Sequence, residues 1–248
     1  MRPTLTLLLL IFGTALTAQF SISLESGLAF SQYNDVRVPN GEELAGTLFS
    51  LDDDFSPEQG KPFLRVEAAY LIKDKHTVEL TAAPLQLNFA DAQLSSIRFA
   101  GTTFEGADID GRYEFNTYRA SYRYRLVQRP KFTLDLGASI LARDARIALT
   151  QGELTAEDTD LGFVPLISFK LQYSPSDKLS LLLKGDALAS PQGRAEDVFA
   201  GLLVDLLADK LQLKAGYRLI EGGADVDQVY NFAFIHFADV GVVYTFDN

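Results

Sequence analysis

No cysteine occurs anywhere in the 248 residues, so the fold has neither disulfides nor an N-terminal cysteine to carry a lipid anchor. Histidine is nearly absent too. His76 and His236 are the whole supply, which leaves a catalytic arrangement of the Ser/His/Asp type at most two places to form. Beyond the N-terminus, no segment approaches the run of about 20 apolar residues that a membrane-spanning helix needs. Phosphate-loop, dinucleotide and metal-ligand spacings are missing, so no cofactor or metal is expected. Positive charge is in deficit: 22 Lys and Arg face 33 Asp and Glu, a net charge of −11, which argues against a nucleic-acid partner. Pro, Gly and Ser do not cluster into a linker, so one domain is expected.

What is present begins with Arg2, an apolar run from Leu5 to Leu16, and the small pair Thr17-Ala18. This is the layout of a secretory signal peptide over residues 1–18, with cleavage expected near Ala18 and a mature domain over 19–248. Removal of the leader leaves 21 basic against 33 acidic residues, a net of −12. An exported chain with 47% hydrophobic residues and no spanning helix is either a soluble β domain or a protein that enters a membrane as strands.

The last run decides between these only in company. From Tyr230 to Phe246 every second residue (Tyr230, Phe232, Phe234, His236, Ala238, Val240, Val242, Tyr244, Phe246) builds one large, mostly apolar face. Nine further alternating runs precede it, at 20–32, 62–73, 76–89, 113–127, 131–148, 162–174, 178–189, 197–208 and 210–221. Tight joints at 73–75, 128–131, 175–178 and 209–210 alternate with longer ones near 33–61, 90–112, 149–161, 190–196 and 222–229. The apolar faces carry no charge, as in Tyr118, Ala120, Tyr122, Tyr124 and Leu126, or Phe132, Leu134, Leu136, Ala138 and Ile140. Lys or Arg at a bilayer midplane costs about 2–4 kcal/mol in a barrel wall, so a lipid-facing surface is the economical explanation. The fold expected is all-β: a single antiparallel up-and-down transmembrane β-barrel of ten strands, both termini on the short-turn side. The alternation breaks at Ala82–Pro84, where a bulge is expected and the faces beyond could flip.

Leader, amphipathic strands, long outer loops and a final strand ending in outward Tyr244 and Phe246 together resemble the small bacterial outer-membrane β-barrel proteins of ten-stranded type. The resemblance covers the whole mature chain, and it departs in the Asp247-Asn248 that follow Phe246. It implies a Gram-negative-type outer membrane, contact with its lipid, recognition of the last strand by the barrel-insertion machinery, and a monomer.

With the outward parity set, charges fall inward: Glu25, Arg65, Glu67, Glu79, Arg119, Arg123, Arg125, Asp135, Arg143, Lys170, Lys184, Asp186, Asp205, Lys214, Arg218 and Asp239. Paired across the interior they would fill it, since unpaired buried charge is costly. Left open, they would line a narrow polar channel or anion pocket near Arg119, Arg123 and Arg143. Arg65, Glu67, Arg119, Arg123, Arg143, Asp186, Arg218 and Asp239 are therefore the candidate lumen residues. The outer loops are acidic, with Glu42, Glu43, Asp52, Asp53, Asp54 and Glu58 in the first, but they lack the ligand spacing of a calcium loop and read as solvated charge. A structural or surface-interaction role follows, with a narrow channel as alternative. His236 raises a third reading, an outer-membrane lipid hydrolase or omptin-like protease, weakened by the absence of a nearby Ser and by its outward parity.

Overall fold

The computed structural model describes residues 18–41, 44–191, 193–207 and 210–246. Residues 1–17 of the expected leader, Glu42, Glu43, the joint residue Asp209 and the terminal Asp247-Asn248 lie outside them.

Period-two patterning becomes ten long strands: β1 (Ala18–Arg37), β2 (Lys61–Ile72), β3 (His76–Ala83), β4 (Asp110–Arg129), β5 (Phe132–Gln151), β6 (Leu154–Ser176), β7 (Leu179–Ser190), β8 (Gly193–Leu207), β9 (Leu211–Asp225) and β10 (Tyr230–Phe246). Each pairs antiparallel with the next, and β10 returns to β1 with Phe20 opposite Phe246. The sheet therefore closes, as the alternation predicts. Closure is what lets strands cross lipid, because every wall backbone group then finds its partner in a neighbour. Outward side chains are exposed and apolar, among them Leu136, Ile140, Tyr122, Phe163 and Tyr244, while their strand neighbours Asp135, Leu141, Arg123 and Ser121 are buried. An apolar band of about 25 Å, crossed by strands tilted about 40°, takes about ten residues. Counted from Phe246, it ends at His236.

Three details differ from the sequence reading. The connections near 149–161 and 190–196 are not loops: β5 and β6 pair up to Gln151 opposite Leu154, and β7 and β8 pair up to Ser190 opposite Gly193. Ladder hydrogen bonds simply continue beyond the membrane, so the acids of 153–160 stand on a tall hairpin. The break at Pro84 does occur, but Leu85, Leu87 and Phe89 keep the inward parity of Glu79 and Thr81. The flip comes instead in β1, where the register shifts between Ser31 and Tyr33. Inward positions are odd below it (Ser23, Glu25, Ala29) and even above it (Asn34, Val36).

The two long outer connections fold inward. Phe49, Leu51 and Phe55 from the first, and Ile97, Phe99, Phe104 and Ile109 from the second, are buried with Val36, Phe89, Tyr113, Leu149 and Ile235 of the walls. Phe49 packs on Phe55 and edge-on against Phe99, at 5.9 and 6.0 Å. Asp54 caps this turn by accepting the Ser50 N–H at 2.8 Å, and Asp52 accepts from Ser31 Oγ at 2.6 Å. Part of the acidic run thus holds the cap in place.

Deeper in the barrel, Phe199 is fully buried beneath Lys214, whose Nζ lies 4.1 Å from the ring centroid. Gly201 and Gly216 make its room: a Cβ on either would stand 2.5 or 2.7 Å from Phe199 Cζ and 2.4 Å from a backbone oxygen. Gly216→Val is expected to lower barrel stability by about 1–3 kcal/mol through overpacking. Leu136→Lys, near the centre of the apolar band, should cost about 2–4 kcal/mol in lipid vesicles, and Leu161→Lys near its top about 0–1. Urea titration of the vesicle-inserted protein, read by heat-modifiable gel migration, measures all three.

Candidate functional site

Inward parity on ten strands brings charges of both signs into one cross-section. Asp197 of β8 is the hub: its Oδ2 accepts from Arg65 Nη1 at 3.0 Å and Arg119 Nη2 at 2.9 Å, and its Oδ1 from Arg218 Nη1 at 2.8 Å. Arg119 also donates to Asp186 at 2.7 Å, whose other oxygen accepts from Ser139. Arg65 reaches Glu67 at 2.9 Å. Arg218 spreads its remaining donors to Glu25 at 2.6 Å and Asp239 at 3.1 Å, and Lys214 completes the shell of Glu25. Lys184 bridges Glu67 and Glu79, both at 2.7 Å, and Arg123 donates to Glu79 at 2.7 Å and to Ser168 at 3.0 Å.

These contacts form a single connected net. Its cations are Arg65, Arg119, Arg123, Lys184, Lys214 and Arg218; its carboxylates are Glu25, Glu67, Glu79, Asp186, Asp197 and Asp239. Six charges of each sign leave a net of zero, and all twelve side chains are buried. Arg125 and Asp135 make a separate two-pronged pair at 2.8 and 3.2 Å nearer the short-turn end.

The net divides the lumen. Beneath it a space of about 1330 Å³, counting the part open to solvent, is lined by Gln19, Lys170, Gln172, Gln212 and Thr245 together with the lower charges of the net. Above it a cleft of about 910 Å³, counted the same way, has mostly apolar walls that include Phe115, Leu141, Ile147, Leu166, Ile220 and Ile235. Arg119 and Asp197 form its floor.

Of the candidate lumen residues, Arg65, Glu67, Asp186, Arg218 and Asp239 lie in the net, as do Arg119 and Arg123. Of the expected grouping of Arg119, Arg123 and Arg143, only Arg119 and Arg143 come together, both lining the upper cleft. Four residues along β4 separate Arg119 from Arg123 by about 13 Å, which puts Arg123 at the lower space and Arg119 at the upper. Arg143 sits in the upper cleft, half-buried and paired with Asp160. Sequence reasoning missed Asp197, the hub itself. Its signal was there: it shares odd parity with Phe199 and Leu203, but it opens the marked run and was not carried into the inward set. Higher on the tall hairpin, burial and the like charge of Asp160 push the Asp158 carboxyl up.

His236 faces outward at the upper edge of the apolar band, opposite Phe30 and Leu219. Its ring nitrogens hydrogen-bond Tyr217 and Gln32, and the ring lies 4.3 Å from that of Phe234. Neither partner is a Ser or an acid, and Ser31 close by is committed to Asp52. The arrangement is that of an amphipathic residue in an interfacial aromatic belt.

No protein-family model matches this chain, and none of the curated proteins does. Among solved structures it is similar to the outer membrane protease OmpT from Escherichia coli, with a TM-score of 0.59 and 11% identity over 94% of this chain and 99% of that one. It also aligns with Ail, the attachment invasion locus protein of Yersinia pestis, solved with the heparin analogue sucrose octasulfate, at a TM-score of 0.43 and 11% identity over 92% and 99%. At such identities the OmpT likeness is one of fold alone. Fold and apolar wall together define the chain as a small, closed, ten-stranded transmembrane β-barrel, the architecture seen in the outer-membrane protease it is similar to.

Removing the hub leaves three buried guanidinium groups short of charge. Asp197→Ala is therefore expected to destabilise the barrel by about 3–5 kcal/mol, whereas Lys61→Ala, breaking the solvent-screened rim pair with Glu58, should leave stability nearly unchanged. Denaturant unfolding in vesicles checks the contrast.

Proposed function

We propose that the protein is a closed, non-conducting outer-membrane barrel that acts at the outer surface through its folded cap and acidic rim. The observation that carries this reading is the neutral twelve-charge net across the lumen. A conducting path needs side chains that yield to a passing solute. Here each shift would strand a buried charge, so the net resists opening at the scale of several kcal/mol per ion. The cap supports the other half of the reading. Its apolar core holds the loops in one shape, which a binding surface needs and a mere hairpin connection does not.

The apolar wall supports an outer-membrane location, and the proposal adds to it a leader removed near Ala18, insertion guided by Tyr244 and Phe246, and a single copy in the membrane of a Gram-negative-type cell. The geometry favours neither the channel nor the hydrolase alternative. An omptin-like constellation would need a His among acids inside the mouth, and His236 points to the opposite side of the wall.

Planar-bilayer recording tests the closed lumen. No discrete current steps are expected from the wild-type barrel, whereas an Arg119→Ala/Asp197→Ala/Arg218→Ala variant that keeps heat-modifiable migration should conduct. Reproducible unit currents from the wild type would refute the proposal.

A further inference from the structure

The ladder between β6 and β7 stops at Ile167 opposite Ala187, although β6 runs up to Leu154. Over 154–166 this strand is paired on its β5 side alone. Pro165, which has no N–H to donate, lies within the stretch, where an edge tolerates it. The lower part of this edge stands at membrane height. Leu161, Phe163 and Ile167 are 67%, 71% and 58% exposed on the outer face, continuing the apolar stripe that starts at Tyr173. Unpaired backbone facing hydrocarbon is costly, and at that depth it is tolerated only where it is buried in protein or lines a cavity that water can reach. The cavity is the outer cleft: Val164 and Leu166, on the inner face of the same segment, line it.

The chemistry of the cleft narrows what it takes. Its walls are mostly apolar. Its cations are committed, Arg119 to Asp186 and Asp197, Arg143 to Asp160, Arg146 to Glu157 and Arg194 to Glu221. Asp158, on the inward face of β6, borders it with no cation among the described residues at ion-pair distance, so an anionic guest would meet uncompensated negative charge. The floor is closed by the net, so whatever enters does not continue downward.

We propose that the outer cleft is a binding site for an uncharged apolar small molecule that enters sideways from the outer leaflet, through the gap between β6 and β7. The site is independent of whether the lumen conducts, so bilayer recordings and the following test fail separately.

The chain carries no native thiol. Val164→Cys on the cleft wall and Thr245→Cys in the lower space therefore each introduce a single reporter. With the full-length barrel in lipid nanodiscs, alkylation by a water-soluble maleimide is timed with and without N-phenyl-1-naphthylamine, an uncharged apolar probe. The probe is expected to slow the Val164→Cys reaction saturably, by at least about fivefold, and to leave the Thr245→Cys reaction unchanged. Adding Ala195→Trp, which fills the cleft, should abolish that probe dependence while heat-modifiable migration confirms the barrel. Unchanged rates at both positions, equal slowing at both, or a Val164→Cys thiol that never reacts would overturn the proposal. So would bromolipid quenching of a bimane on Val164→Cys that the probe does not relieve, because an acyl chain would then be the occupant.

Discussion

Neutrality of a buried cross-section is the constraint on which this barrel depends. Ten strands wrapped around a narrow lumen must put something inside, and this chain puts charge there. Charge removed from water is tolerable only when each ion is opposed and its remaining donors or acceptors are met. The net opposes its charges by making Arg65, Arg119 and Arg218 each serve two or more acids. Arg218 touches Glu25, Asp197 and Asp239, carried by three different strands, and Arg119 ties β4 to β7 and β8. Register and charge thus specify one another: a slip of one residue in any strand would turn its charges to lipid and leave their partners unopposed.

That cross-section also determines what the two ends can be. Below it, polar residues such as Gln172, Ser174 and Ser180 hydrogen-bond one another beside a polar-lined space. Above it, the same walls become apolar, and the first two outer connections lay their aromatic residues against them. A hydrophobic core outside the membrane is stabilised by the ordinary exclusion of water, so the cap can be ordered without help from the lipid. The protein is in effect two folding problems joined by one strand set, an electrostatic one at mid-depth and a hydrophobic one at the top.

The first of these was legible in the sequence and the second was not. Period-two alternation reports which face a residue takes, so the ten strands and eleven of the net's twelve members, from Glu25 to Asp239, follow from parity alone. Asp197 escaped because pattern weakens at the end of a run. The partners could not be read, since pairing such as Arg65 with Asp197 joins positions 132 apart in sequence and depends on barrel curvature. The cap was hidden for another reason: Phe49, Leu51 and Phe55 are interleaved with Asp52, Asp53 and Asp54, and the acids dominate a compositional reading. The bulge at Ser31/Tyr33 shifts parity without a Gly or Pro to announce it, whereas Pro84 announces a break that leaves parity intact.

The unequal heights of neighbouring strands follow from the same division of labour. β5 and β6 rise well above the membrane because their upper ends have work in the cap: Ile147, Leu149 and Ala156 are buried there against the folded loops. β7 has no such partner. Its inward residues end with Lys184 and Asp186 in the net, and above Ala187 it has nothing buried to pack against. A strand continues while its side chains or its ladder repay the entropy of ordering it, so β7 turns at Ser190 while β6 goes on. The lateral gap is therefore the place where a strand recruited by the cap runs beside one recruited only by the charges. Closing it would require apolar inward residues on the upper part of β7, which the segment Ala187-Leu188-Ala189-Ser190 supplies only at Leu188.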